Sequence, residues 1–189
     1  MIKVIKPGLA TSVQDLGREG FYHLGIPPSG ALDQYALSAA NQLVGNPAGA
    51  AGLECTLLGP ELEFSADALV AVCGAHMTPK LDGVDMHLDT AFAVKAGQVL
   101  RFDFPKAGAR AYLAVAGGID VPLVLGSRST YTLGALGGLG APGPADRRLR
   151  RRRRVRRGGQ LLLIGILSVN VIFNIRWFTH GRIVAAIHH

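Results

Sequence analysis

Three short, glycine-flanked polar stretches hold the residue types with the most chemical capacity in this 189-residue chain. Gly126-Ser127-Arg128-Ser129-Thr130 sets three hydroxyls and one guanidinium beside a flexible glycine, directly after apolar chain. Arginine donates a planar fork, and serine and threonine add donors, so the set suits holding a carboxylate or a phosphate. The alternative is a surface turn with Arg128 solvated. Thr11 to Gly20, T-S-V-Q-D-L-G-R-E-G, reads as a polar loop that brings Gln14, Asp15 and Arg18 close together. It would offer an amide, a carboxylate and a guanidinium to one ligand. The alternative there is a local Asp15–Arg18 ion pair, which is worth little at a surface. Gly25 to Gly30, G-I-P-P-S-G, is rigid and then flexible, and leads to Asp33. Convergence of Gln14–Arg18, Ser29–Asp33 and Ser127–Thr130 on one pocket is the functional expectation.

The elements that must position these stretches are mostly strands. Ala111 to Ala116 is a short apolar run ended by Gly117-Gly118, as a buried strand would be. Val121 to Leu125 follows, but Pro122 demotes it to an edge strand or an extended loop. Ile2, Val4, Leu53–Leu57, Glu61–Phe64, Leu69–Cys73 and Val99–Phe104 carry further strand patterns, with Leu100, Phe102 and Phe104 on one face. Alternation puts Glu54 on the wet face of its strand. Asp82-Gly83 between Thr78–Leu81 and Val84–Leu88 is a hairpin signal. The one helix expected is Gln34 to Val44, capped by Asp33 and stopped at Gly45-Asn46-Pro47, with Ala36, Leu37, Ala40, Leu43 and Val44 on its apolar face. Asn41 falls off that face and reads as solvated. About nine short strands with regular turn signals point to a closed or nearly closed antiparallel barrel.

Composition narrows the function classes. The chain is 49% hydrophobic but only 6% aromatic, so its core is aliphatic. The net charge of +7 belongs to the tail: residues 1–140 hold nine Lys and Arg against twelve Asp and Glu, whereas residues 141–189 hold eleven Arg against one Asp. A mildly acidic body gives no reason to expect a nucleic-acid partner. Cys55 and Cys73 sit in apolar settings and read as buried thiols. His23, His76 and His87 are scattered, so no metal-ligand spacing is present. There is no phosphate-binding G-x-x-x-x-G-K-[ST], no G-x-G-x-x-G that follows a strand and no G-x-S-x-G elbow. No cationic, apolar leader opens the chain, and a cytoplasmic location is expected.

From about Gly140 the pattern breaks. Ala141-Pro142-Gly143-Pro144 interrupts it, and Arg147 to Arg157 contains nine arginines, a density at which like charges repel and keep chain extended. Leu161 to Ile175 is apolar but shorter than the roughly 20 residues a spanning helix needs. Three readings fit: a basic tether for nucleic acid or anionic lipid, a weak membrane anchor, or a segment read from another frame of a GC-rich gene. The third is preferred. The expected organisation is therefore a body at 1–139 and an irregular basic tail at 140–189 that is foreign to the fold, and no membrane partner is expected.

Five motifs in order give the body a family likeness. They are P-G-L-A-T-S-V-Q-D-L-G-R-E-G at Pro7–Gly20, G-I-P-P-S-G-A-L-D at Gly25–Asp33, A-N-Q-L-V-G-N at Ala40–Asn46, L-E-C-T-L-L-G-P at Leu53–Pro60 and A-R-A-Y-L-A-V-A-G-G-I-D-V-P-L-V-L-G-S-R-S-T-Y at Ala109–Tyr131. Over about residues 1–139 the chain resembles the biotin-dependent carboxyltransferase-like family: allophanate hydrolase subunit 2, urea amidolyase and the C subunit of 5-oxoprolinase. The resemblance implies a cyclophilin-like β-barrel with one well-defined helix. It also implies a subunit of an ATP-dependent amide hydrolase that works with companion subunits on a small amide, with ATP as cofactor. An unstrained lactam is a poor electrophile, and phosphorylating its oxygen creates a leaving group that cationic and hydroxyl donors must hold. On that likeness Asp15, Arg18 and Arg128 are the catalytic candidates. Gln14, Ser29, Asp33, Ser127, Ser129 and Thr130 are candidates for binding substrate or phosphate. Family members carry a second such domain, which the tail replaces here, so a truncated and inactive member is one expectation. Other branches imply a regulatory module antagonising a kinase inhibitor, or a carboxyltransferase component for urea-like substrates; no biotin attachment site is recognised in this chain.

Overall fold

The computed structural model describes residues 2–138 and the backbone of two strands at 173–178 and 182–187. In chain order the elements are β1 (Ile2–Lys6), β2 (Ala10–Gln14), α1 (Gln34–Leu43), β3 (Gly52–Thr56), β4 (Glu61–Phe64), β5 (Ala68–Gly74), β6 (Pro79–Leu81), β7 (Val84–Asp85), β8 (Ala91–Val94), β9 (Val99–Phe102), β10 (Arg110–Val115), β11 (Ile119–Asp120), β12 (Phe173–Phe178) and β13 (Arg182–Ile187). A 3-10 turn spans Tyr22–Leu24. Among the described residues the expected mainly β fold with one α-helix is what forms.

The strands make two sheets. One runs β11-β13-β12-β1-β4-β9-β6-β7 and the other β2-β3-β10-β5-β8. Pairings are antiparallel except β11 with β13. Within the segment read as an irregular tail, the backbone of β12 thus pairs with β1. The arginine run and the apolar run up to residue 172, and the domain boundary expected at 139/140, lie outside the described residues.

Side chains from both sheets share one core. Ile2, Leu62, Phe64 and Leu100 meet Val13, Leu53, Val70, Val72, Leu113 and Val115, all nearly or fully buried. Successive residues of a strand point to opposite faces. On β5 and β10 both faces are covered: Val70, Val72, Leu113 and Val115 turn to the other sheet, while Ala71, Cys73, Tyr112 and Ala114 turn to α1. That double burial is why these strands read as continuous apolar runs. Truncating Leu113 to alanine would leave a cavity and cost ~2–5 kcal/mol.

α1 starts where expected because the Asp33 carboxylate accepts the Ala36 N–H at 2.9 Å. Ala36, Leu37 and Ala40 press on Ala71 and Ala114, and the small side chains on both sides let the helix lie close to the sheet. Val44 and Gly45 close it, donating back to Asn41 and Gln42 carbonyls.

Several local expectations change. Thr11 to Gly20 is not all loop: its first residues lie in β2, paired with β3 from Ala10–Thr56 to Gln14–Gly52. Threonine, serine and glutamine hid the alternation that buries Val13. Glu54 is not solvated. Its side chain is 13% exposed and accepts the Leu32 N–H at 3.0 Å and the Tyr112 hydroxyl at 2.9 Å, with Arg110 Nε 3.4 Å away. These partners pin the approach to α1 onto the sheet. Burial and the Glu54 and Asp33 charges push the Tyr112 phenol well above its ordinary value, against the Asp33 N–H that bonds it. β9 ends at Phe102, leaving Phe104 exposed. Val121–Leu125 is an extended loop that closes in a tight turn, with Val124 and Ser127 bridged. Cys55 and Cys73 are buried, unpaired thiols, each pushed up to about 12 by burial.

Candidate functional site

The end of β2 and the segment after the Val124–Ser127 turn meet across more than a hundred residues of chain. Thr130 locks them in register: its N–H and its hydroxyl both donate to the Val13 carbonyl, at 2.9 and 3.0 Å. Nearby, the Asp15 carboxylate receives four donors. The Ser127 and Ser129 hydroxyls and the Gly17 N–H reach Oδ1 at 2.6, 2.5 and 2.8 Å, and the Arg128 N–H reaches Oδ2 at 2.6 Å. The Asp15 N–H donates in turn to the Ser129 hydroxyl at 2.9 Å. Burial alone would raise the Asp15 pKa, but these hydrogen bonds outweigh it and hold the carboxyl below its ordinary value.

Arg18 lies beneath this arrangement and is 2% exposed. Its guanidinium donates to the Ser129 carbonyl, to the Ser29 hydroxyl at 3.2 Å and to the Val124 carbonyl at 3.4 Å. Burial lowers its pKa and the Asp15 charge opposes that. Ser29 and Leu125 each hold a left-handed φ, +56° and +54°. That conformation costs a non-glycine residue roughly 1–2 kcal/mol, and Arg18 bonds Ser29 itself and the residue before Leu125. Gln14 completes the set, donating to Ser12 at 2.9 Å and to the Thr130 carbonyl at 3.3 Å, and accepting the Gly30 N–H at 3.2 Å. Gly30 is required here: at φ +91° a Cβ would sit 2.9 Å from the Leu16 carbonyl oxygen.

Gln14, Asp15, Arg18, Ser29, Ser127, Ser129 and Thr130 therefore gather in one place. They satisfy one another rather than facing an open cavity. Ser127 and Ser129 are fully buried, and the anion they hold is the chain's own Asp15. As arranged, they do not form a ready cradle for a nucleotide phosphate. Asp33 stays apart. Its carboxylate caps α1 and lines a separate hollow with Leu32, His76 and Arg110.

Arg128 belongs to both sides. Its N–H serves Asp15, while its side chain turns away into a pocket of about 490 Å³. There Nη2 meets Asp120 Oδ1 at 3.1 Å, both side chains about one-third exposed at 30% and 34%. Arg128 Nε is shielded and has no hydrogen-bond partner among the described residues. The pocket wall is the loop after α1, Val44–Pro47 and Gly49–Ala51, opposite Gly117–Asp120.

Asn41 and Asn46 fix that wall. Contrary to the expectation of a solvated residue, Asn41 is fully buried, donating to the Ala48 and Ala50 carbonyls at 3.2 and 2.7 Å. Asn46 donates to Asn41 Oδ1 and to the Val115 carbonyl, and accepts the Gly117 N–H at 2.7 Å. A loop with so many backbone groups to satisfy draws a helix asparagine inward, which helical periodicity cannot register. Asp120 and Asn46 are site residues that sequence reasoning misses. The A-G-G-I-D and G-N-P strings were the available signal. Among the described residues no three His, Cys, Asp or Glu are placed to hold a metal ion, and no helix is long and apolar enough to cross a membrane.

Comparison with known proteins matches residues 24–161 to the model of the carboxyltransferase domain, subdomain A and B. The chain is 48% identical over 139 residues to the C subunit of 5-oxoprolinase from Escherichia coli, covering 74% of this chain and 45% of that protein. It is 42% identical over 138 residues to urea amidolyase of Saccharomyces cerevisiae, covering 72% of this chain and 8% of that protein. Among solved structures, urea carboxylase of Kluyveromyces lactis superposes with a TM-score of 0.72 at 42% identity, over 74% of this chain and 12% of that one. The chain thus spans less than half the length of these relatives. With the family model covering most of the sequence and the fold matching at high identity, the chain belongs to the carboxyltransferase domain family, subdomains A and B.

Proposed function

We propose that this chain is the N-terminal portion of a subunit of an ATP-dependent amide hydrolase of the 5-oxoprolinase or allophanate hydrolase type, acting with companion subunits on a small amide. The observation that carries the reading is the 48% identity to the C subunit of a 5-oxoprolinase across a 139-residue stretch, together with the Asp15 cluster that the family motifs supply. In this reading Asp15, Arg18, Ser127 and Ser129 are positioning residues. They weld the end of β2 to the loop before Thr130 and so fix where the Arg128 side chain emerges. ATP would supply the activation that an unstrained amide needs. Its phosphates would be held outside the cluster, whose donors are already engaged.

The test is co-expression of the full chain with the companion subunits of a 5-oxoprolinase and an assay of 5-oxoproline-dependent ATP hydrolysis. A second version carries the residues from 140 onward restored to the family frame. Turnover in the restored version, with little or none in the present chain, is expected. Absence of stimulated hydrolysis in the restored version contradicts the reading. A second reading, the carboxyltransferase component for a urea-like substrate, is favoured by the 42% identity to urea amidolyase. Carboxylation of urea by a restored chain supplied with a biotinylated carrier domain would select it.

A further inference from the structure

The pocket beside Arg128 is built for a small ligand with separated charges. Its two ionic groups, Asp120 and Arg128, stand 3.1 Å apart and already neutralise each other. A lone anion would reach Arg128 only against Asp120, and a lone cation would reach Asp120 only against Arg128. The shielded Arg128 Nε closes the side-on approach that would let a carboxylate take the fork through that edge. Both side chains are about one-third exposed and line the pocket.

A second feature has the same polarity. α1 ends at the pocket, with Val44 and Gly45 in its lining. The C-terminal end of a ten-residue helix carries partial negative charge and favours a cation nearby. Gly49, Ala50, Gly117 and Gly118 leave room on the wall, and no lining residue offers an aromatic face for a nucleobase. A volume of about 490 Å³ falls within the range of small-molecule sites.

We propose that this pocket binds a small zwitterion of the α-amino acid type, its ammonium between Asp120 and the end of α1 and its carboxylate on Arg128. The placement does not rest on the amide-hydrolase reading, since binding is measurable on the chain alone.

The experiment is a ¹H–¹⁵N NMR titration of the full chain with glycine and L-alanine, against acetate, methylammonium and acetamide. Saturable shifts at Gly117, Gly118 and Asp120 are expected for the amino acids, with at least tenfold weaker binding of the three comparators. Asp120→Asn and Arg128→Gln should each weaken the amino acids about tenfold or more, and Arg128→Lys should recover part of the loss. Ala50→Leu provides a variant that touches neither charge; a Cβ at Gly118 would lie 3.5 Å from the Ala50 Cβ, so the added bulk faces that wall and should also weaken binding. Shifts that never saturate, equal response to acetate or acetamide, or binding indifferent to all three weakening variants would overturn the proposal. The same titration succeeding while stimulated ATP hydrolysis fails would leave this site standing and remove the proposed function.

Discussion

The cluster around Asp15 and the pocket beside Arg128 use the same chemistry, a carboxylate with a guanidinium and nearby backbone donors, and are joined through one residue. In the cluster every group has a partner. Four donors meet one carboxylate and three acceptors meet one buried guanidinium. In the pocket the Asp120–Arg128 pair is one-third exposed and faces a cavity. Residue types therefore do not distinguish a clasp that holds the fold from a site that holds a ligand. What does is whether the paired groups are sealed inside the fold or line an open cavity.

The contrast is broken most severely by stripping the cluster. Asp15→Ala strands several buried donors at once and should cost ~3–5 kcal/mol, read by urea unfolding. Next is Gly137→Ala. Gly137 holds φ +66°, and a Cβ there would collide with the Ser129 carbonyl oxygen and lie 3.0 Å from Arg18 Nη2. Displacing that carbonyl should cost ~2–4 kcal/mol and lower the thermal midpoint. Asn41→Leu removes the donors that hold Ala48 and Ala50, and should cost ~1–3 kcal/mol while loosening the pocket wall, seen as faster amide exchange at Ala50 and Gly117. At the small end, Asp120→Asn breaks only a part-exposed ion pair and should change stability by under ~1 kcal/mol.

Acid sharpens the difference. The folded Asp15 carboxyl titrates below its ordinary value of 3.8, so the unfolded chain binds its proton more readily. Stability from this group is complete above the ordinary value and is lost as pH falls through the depressed one. Asp15→Asn should flatten the acid limb of an unfolding profile below about pH 4.

Legibility in the sequence follows the same line. α1 and the strands β5 and β10 are legible because periodicity, a capping aspartate and double burial act within a short window. β2 is not, since its outward residues are polar and only Val13 and Gln14 are buried. The three polar stretches stand out by composition, and Gln14, Asp15, Arg18, Ser29, Ser127, Ser129 and Thr130 do meet. That they would consume one another's donors depends on geometry between residues over a hundred positions apart. The split orientation of Arg128, backbone inward and side chain outward, leaves no trace in residue type. Asp33 is the cap that its position before α1 suggests, and its place in a polar string misleads only about its neighbours.

The account stands on Asp15 being the anion that the Ser127–Ser129 loop holds. A ¹³C NMR titration of the Asp15 carboxyl tests this directly, in the unaltered chain and in a Ser127→Ala, Ser129→Ala double variant. The account predicts titration below 3.8 in the chain as it is and a clear upward move when the two hydroxyls are removed. Titration at or above the ordinary carboxyl value, with no response to losing the serines, would contradict it.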